Sequence, residues 1–209
     1  MKSISIYVLA LVIGFFAACN GSNKKNSGPE HDMSNMDKDS IQHATNDNPP
    51  ATEISATFKD LDAKAAASVA GIVGHYMHIK NALTNDNGDD AAGGGKAMAA
   101  ALAALDKSLF TPEQKKVIDD TQDDLREHAE HIGKNSDNIK HQREHFAMMS
   151  EDMYAIARAY GSSAPVYHDH CPMYNDGKGA MWLSESREIK NPYYGSAMIT
   201  CGKVEEIIK

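Results

Sequence analysis

Near its C-terminal end the chain carries two short clusters of soft donor side chains, Tyr167-His168-Asp169-His170-Cys171-Pro172-Met173 and Met198-Ile199-Thr200-Cys201-Gly202. Thiolate and thioether sulfur select Cu(I) and similar soft ions, and imidazole suits copper and zinc. Cys171, Met173, Met198 and Cys201, with one of His168 or His170, therefore supply the donor types of a three- or four-ligand Cu(I) site. Such a low-coordinate site lets a partner's donor enter before the last bond to the ion is lost. The same residues admit two other readings. Cys171 and Cys201 can pair as a disulfide that closes a loop-rich tail, with Met173 and Met198 as packing, or join His168 and His170 in a structural zinc site.

A second group is made of imidazoles. His128 falls on the inward stripe of a helix about one turn before its end. His141 and His145 occupy the first two turns of the next helix, and Met149 continues their i, i+4, i+8 row. Antiparallel packing brings these side chains to one level, with His131 at the edge, and facing histidines on bundle helices are a way to build a metal site. The alternative is a polar layer near the loop, with His128 hydrogen-bonded to a Glu or Gln. His75 and His78 are expected at the surface.

Catalysis has little support. Cys171 beside His170 suggests an activated thiolate, but neighbours in sequence do not have the geometry of a catalytic pair. A phosphate-binding glycine loop, a haem-attachment motif and a serine nucleophile elbow are all missing from the sequence, so the chain reads as a binding protein and not an enzyme. Its formal net charge of -8 speaks against a nucleic-acid partner.

The elements that must position these donors follow in chain order. Met1-Lys2-Ser3 and the apolar run Ile4 to Phe16 have the form of a signal segment. Phe16-Ala17-Ala18-Cys19 resembles a lipoprotein lipobox, which makes 1–18 a signal peptide and Cys19 the lipidated N-terminus of an envelope protein, anchored to a membrane and facing the periplasm. Residues 19–53 read as a flexible polar tether holding His31, Met33, Met36 and His43, donors of the kind found in Met/His-rich segments of copper-handling envelope proteins.

Residues 54–161 read as a mainly α domain, an antiparallel four-helix up-and-down bundle. The first helix carries Phe58, Leu61, Ala65, Ile72, Tyr76, Ile79 and Leu83 at helical spacing and stops at Asn85-Asp86-Asn87-Gly88. The second spans Ala97 to Leu109, because Gly93-Gly94-Gly95 disfavours an earlier start. Thr111-Pro112-Glu113-Gln114 forms a capping box for the third, which runs to Gly133. The fourth places Ile139, Gln142, Phe146, Met149, Met153, Ile156 and Tyr160 on one face and ends at Gly161. Residues 162–209 read as an irregular tail packed on the bundle, with a hairpin around Asp176-Gly177 and with Trp182, Tyr193 and Tyr194 as apolar anchors.

Glu127-His128-Ala129-Glu130-His131-Ile132, His141-Gln142-Arg143-Glu144-His145-Phe146 and Cys171-Pro172-Met173-Tyr174-Asn175-Asp176-Gly177-Lys178-Gly179-Ala180, followed by Asn191-Pro192-Tyr193-Tyr194-Gly195 and Cys201-Gly202, resemble an uncharacterised bacterial envelope domain family. The resemblance covers about residues 55–209. It implies the company of periplasmic adaptor subunits of copper/silver efflux pumps, to which the family is sometimes fused. The chain lacks room for the barrel, lipoyl-like and coiled-coil parts of an adaptor. The expectation is therefore a lipid-anchored protein that binds a soft metal ion, Cu(I) before zinc, and buffers it or passes it to an efflux adaptor or metallochaperone.

Overall fold

A computed structural model describes residues 50–209. The signal segment, Cys19 and the His31, Met33, Met36 and His43 group lie outside the described residues. Four long helices, α1 (Ala63–Thr84), α2 (Gly88–Ala103), α3 (Pro112–Lys134) and α4 (Ile139–Tyr160), pack α1 on α2, α2 on α3, α3 on α4 and α1 on α4. Among the described residues no helix is long and apolar enough to cross a membrane.

Local chemistry explains the helix ends. Asp62 caps α1 by accepting hydrogen bonds from the Lys64 and Ala65 amides, so the helix begins after Phe58 and Leu61. Those two residues lie in an extended lead-in, where the amides of Thr57 and Phe58 donate to Arg158 and Ala159 at the end of α4. The last turn of α4 thereby gains partners for carbonyls that have none within the helix. The capping box of α3 is present, with Thr111 and Gln114 exchanging hydrogen bonds and Pro112 in the first turn. The second helix begins at Gly88, capped by Asn87, and ends at Ala103, so the expected span from Ala97 to Leu109 is shifted. Its glycines are used for close packing. A Cβ on Gly94 would lie 2.8 Å from Ile79 of α1, and one on Gly95 would lie 2.7 Å from the Ala129 carbonyl of α3. The backbone contact these glycines permit on both sides outweighs their low helix propensity.

The tail expected to be irregular over 162–209 instead contributes three strands to a sheet. β2 (Val166–Cys171) pairs antiparallel with both β3 (Ala180–Ser184) and β4 (Lys203–Ile208), and β1 (Thr52–Ile54) pairs parallel with β4, giving the order β1-β4-β2-β3. The β2–β3 connection is the hairpin expected around Asp176-Gly177, turned by Asn175 and Asp176 at positive φ. Thr52 and Glu53, assigned to the tether, belong to the sheet. The described residues 50–209 form one compact unit.

Helices and sheet share a core. Tyr76 stacks on Phe146 with ring centroids 4.9 Å apart. Its hydroxyl is 2.8 Å from Ser150 Oγ and accepts a hydrogen bond from the Leu183 amide at 3.0 Å, so one phenol joins α1, α4 and β3. Trp182 and Tyr193 are buried anchors, while Tyr194 is half-buried. Phe146 is fully buried, so Phe146→Ala should lower unfolding free energy by about 3–5 kcal/mol. A loss below about 1 kcal/mol in urea denaturation would show that the ring does not hold α4 in this packing.

Candidate metal centre

The turn between α3 and α4 is short, Asn135 to Asn138, and its residues bind the backbone of the histidines on either side. Asn135 Nδ2 donates to the His131 carbonyl at 2.7 Å, and Asn138 Oδ1 accepts from the His141 amide at 3.2 Å. The last turns of α3 and the first of α4 therefore stand level. His128 Nδ1 lies 3.1 Å from His145 Nδ1. His131 stacks on His145 at 4.1 Å between centroids, and His141 meets His145 edge-on at 4.5 Å. The ligating atoms of His131, His141 and His145 all lie within 4.8 Å of one another. Nitrogens sharing one tetrahedral ion sit about 3.3 Å apart for bonds near 2.05 Å, so modest side-chain rotation closes the set. His128, His131 and His141 are half-buried and give access from solvent.

Electrostatics favour the ligand form of this group. Burial, reinforced by His131, His141 and His128, lowers the His145 pKa to about 4, and burial also lowers that of His128. Neutral imidazole is the metal-binding species. Met149, expected to continue the row, is fully buried in the hydrophobic core.

The structure separates the histidines of β2 from its cysteine. Successive side chains of a strand point to opposite faces, so His168 and His170 share one face of β2 while Asp169 and Cys171 share the other. Each histidine already has a carboxylate neighbour. His168 Nδ1 is 3.5 Å from Glu206 Oε2 and its ring stacks on Tyr154, and His170 Nδ1 is 3.4 Å from Glu205 Oε1. A register shift between His168 and Asp169 leaves Glu205 as an extra residue in β4, which brings two consecutive glutamates to the histidine face. Burial lowers the His168 pKa. The arrangement does not assemble the zinc set of Cys171, Cys201, His168 and His170. Cys171 and Cys201 do come together, as free thiols with sulfurs 3.4 Å apart, beyond the roughly 2.05 Å of a disulfide. Met173 is 55 % exposed and Met198 is half-buried.

A buried polar layer behind β2 was not signalled by the sequence. Asp169 is fully buried, and among the described residues neither of its oxygens has a hydrogen-bond partner. Nearby Lys80, itself buried, is paired with Glu185 at 2.8 Å. Burial raises the Asp169 pKa to about 8 against the pull of Lys80, so the carboxyl is protonated at neutral pH. Only the pairing of β2 with β3, which sets Asp169 opposite buried Trp182, shows that this aspartate faces inward. In the unfolded chain it ionises near pH 4, so the unfolded state gains stability as pH rises from about 4 to about 8 and the fold loses it. Asp169→Asn should remove this loss. The stability difference, variant minus parent, should grow across that range in urea titrations, and a difference independent of pH would contradict the assignment.

The molecule is thus a mainly helical domain with a mixed four-stranded sheet, carrying a histidine cluster at one helical hairpin. Residues 72–164 match a family model described as a protein of unknown function (DUF3347). The match begins within α1 and includes all four clustered histidines, but ends before Cys171. No curated protein and no solved structure matches the chain.

Proposed function

We propose that the protein is an envelope lipoprotein that binds a soft metal ion, Cu(I) foremost, at the α3–α4 histidine cluster, and buffers it or hands it to an efflux component. The observation that carries this reading is the convergence of His131, His141 and His145, whose donor atoms fall within 4.8 Å. The helices around it read as an antiparallel up-and-down bundle, with the cluster at the end of one hairpin. Binding and ligand exchange are the whole mechanism, so no catalytic residue is required. Half-buried His131 and His141 admit an incoming donor, and buried His145 holds the ion as it leaves. The lipobox-like sequence at Cys19 and the resemblance to companions of copper/silver efflux adaptors support copper and an envelope setting. Imidazole also suits zinc, so both ions belong in the test.

Anaerobic titration of the full chain, its thiols first blocked by alkylation, with Cu(I) and separately with Zn²⁺ should show His131→Ala/His141→Ala losing affinity by at least about tenfold, or about 1.4 kcal/mol, with an unchanged far-ultraviolet spectrum. His75→Ala/His78→Ala should bind as the parent does. Equal affinity in parent and cluster variant sinks the reading, and stronger retention of Zn²⁺ than of Cu(I) in the parent moves it to zinc. For the anchor, Cys19→Ser should release the protein from membranes or leave an uncleaved precursor. Normal processing with an unchanged membrane fraction would contradict lipidation.

A further inference from the structure

Among the described residues the thiols of Cys171 and Cys201 lie outside the histidine cluster and pair with each other. Cys171 is the last residue of β2 and is fully buried, whereas Cys201 lies two residues before β4 and is half-buried. The antiparallel register sets His170 opposite Lys203, so the chain just before β4 runs past the end of β2 and brings Cys201 beside Cys171.

Two constraints fix this approach. Asn191 Nδ2 donates to the Cys201 carbonyl at 2.6 Å, while Asn191 Oδ1 accepts from the amides of Tyr193 and Tyr194 and the Asn191 amide donates to Ile199. Gly202 has φ +148°, and a Cβ there would lie 2.7 Å from the Trp182 ring and 3.0 Å from the His170 carbonyl. Only glycine lets the chain turn this close to β2 at that point. The backbone therefore holds the thiols together.

The chemistry of the pair is soft. Two thiolates that alone hold an ion in line, with metal–sulfur bonds near 2.3 Å, sit about 4.6 Å apart. The observed 3.4 Å must open by about 1 Å, which a rotation of the half-buried Cys201 side chain supplies. His168 and His170 lie on the opposite face of β2, so imidazole from this strand does not complete a zinc-type set. Sulfur without imidazole or carboxylate favours a soft monovalent ion.

We propose that Cys171 and Cys201 form a second, sulfur-only site for Cu(I). This rests on the reading of the protein as a copper binder and extends it from nitrogen to sulfur. Binding forms two Cu–S bonds and breaks two S–H bonds, releasing two protons to solvent with no change in the oxidation state of copper or sulfur. The half-buried thiol is the entry point, and the buried one anchors the ion.

The test uses the full chain, reduced and kept anaerobic, titrated with Cu(I) in competition with a chromogenic Cu(I) chelator. The parent should take up two ions, Cys201→Ser one, and His131→Ala/His141→Ala one. Copper should slow alkylation of Cys201 by at least about tenfold in both the parent and the histidine variant, a readout that does not depend on how the serine variant folds. Alkylation at the same rate with and without copper overturns the sulfur site, as does a folded Cys201→Ser protein that retains the parent's full uptake. If parent and histidine variant both take up one ion, protected at the thiols, the imidazole reading fails and the sulfur site stands.

Discussion

The buried side-chain amide of Gln142 sits where three helix ends meet. Its Nε2 donates to the Gly88 carbonyl at the start of α2, at 2.9 Å, and to the Ile132 carbonyl near the end of α3, at 3.1 Å. Leaving a buried polar group unpaired costs about 1–3 kcal/mol, so α4 cannot slide or rotate without losing both bonds. Gln142 follows His141, and Ile132 follows His131. The amide that fixes the helix ends therefore also fixes the level of the imidazoles, and the geometry of the histidine cluster depends on a residue outside it.

The same end of the molecule is tied to the rest by Arg143. Its guanidinium reaches the Pro192 carbonyl, the Leu83 carbonyl and Asp86, joining the start of α4 to the α1–α2 turn and to the segment before Cys201. Hydrogen bonds from Ser196 and Arg143 hold the Asp86 pKa down to about 2, so this link keeps its charge across the physiological range. Tyr76 joins the helices to β3. Histidine cluster and thiol pair thus belong to one compact unit while lying on different elements, one on a helical hairpin and the other at the end of a strand pair.

How much could be read in advance follows from the range of the interactions involved. The start of α3 was legible because its capping box is local, and the buried face of α4 because seven residues repeat at helical spacing. The meeting of His128 and His131 with His141 and His145 follows from that periodicity and a short turn. The start of α2 was hidden because Gly94 and Gly95 look like a break until the helices pressed against them are known. The sheet was hidden because β2 is buried on both faces and shows no alternation, and because β1 has only three residues. The strand period, which sends His170 and Cys171 to opposite faces of β2, became usable only once 166–171 was known to be a strand. Asp169 gave no signal, since an aspartate in a polar-looking stretch declares its burial only through tertiary pairing.

The central claim is that clustered imidazoles hold the ion. X-ray absorption at the copper edge, on the full chain loaded anaerobically with one equivalent of Cu(I) after the thiols have been blocked by alkylation, examines it most directly. The account predicts a shell of nitrogen scatterers near 2.0–2.1 Å with the multiple-scattering pattern of imidazole rings, lost in His131→Ala/His141→Ala. A shell of oxygen or sulfur without imidazole scattering, or the same spectrum in that variant, would contradict it.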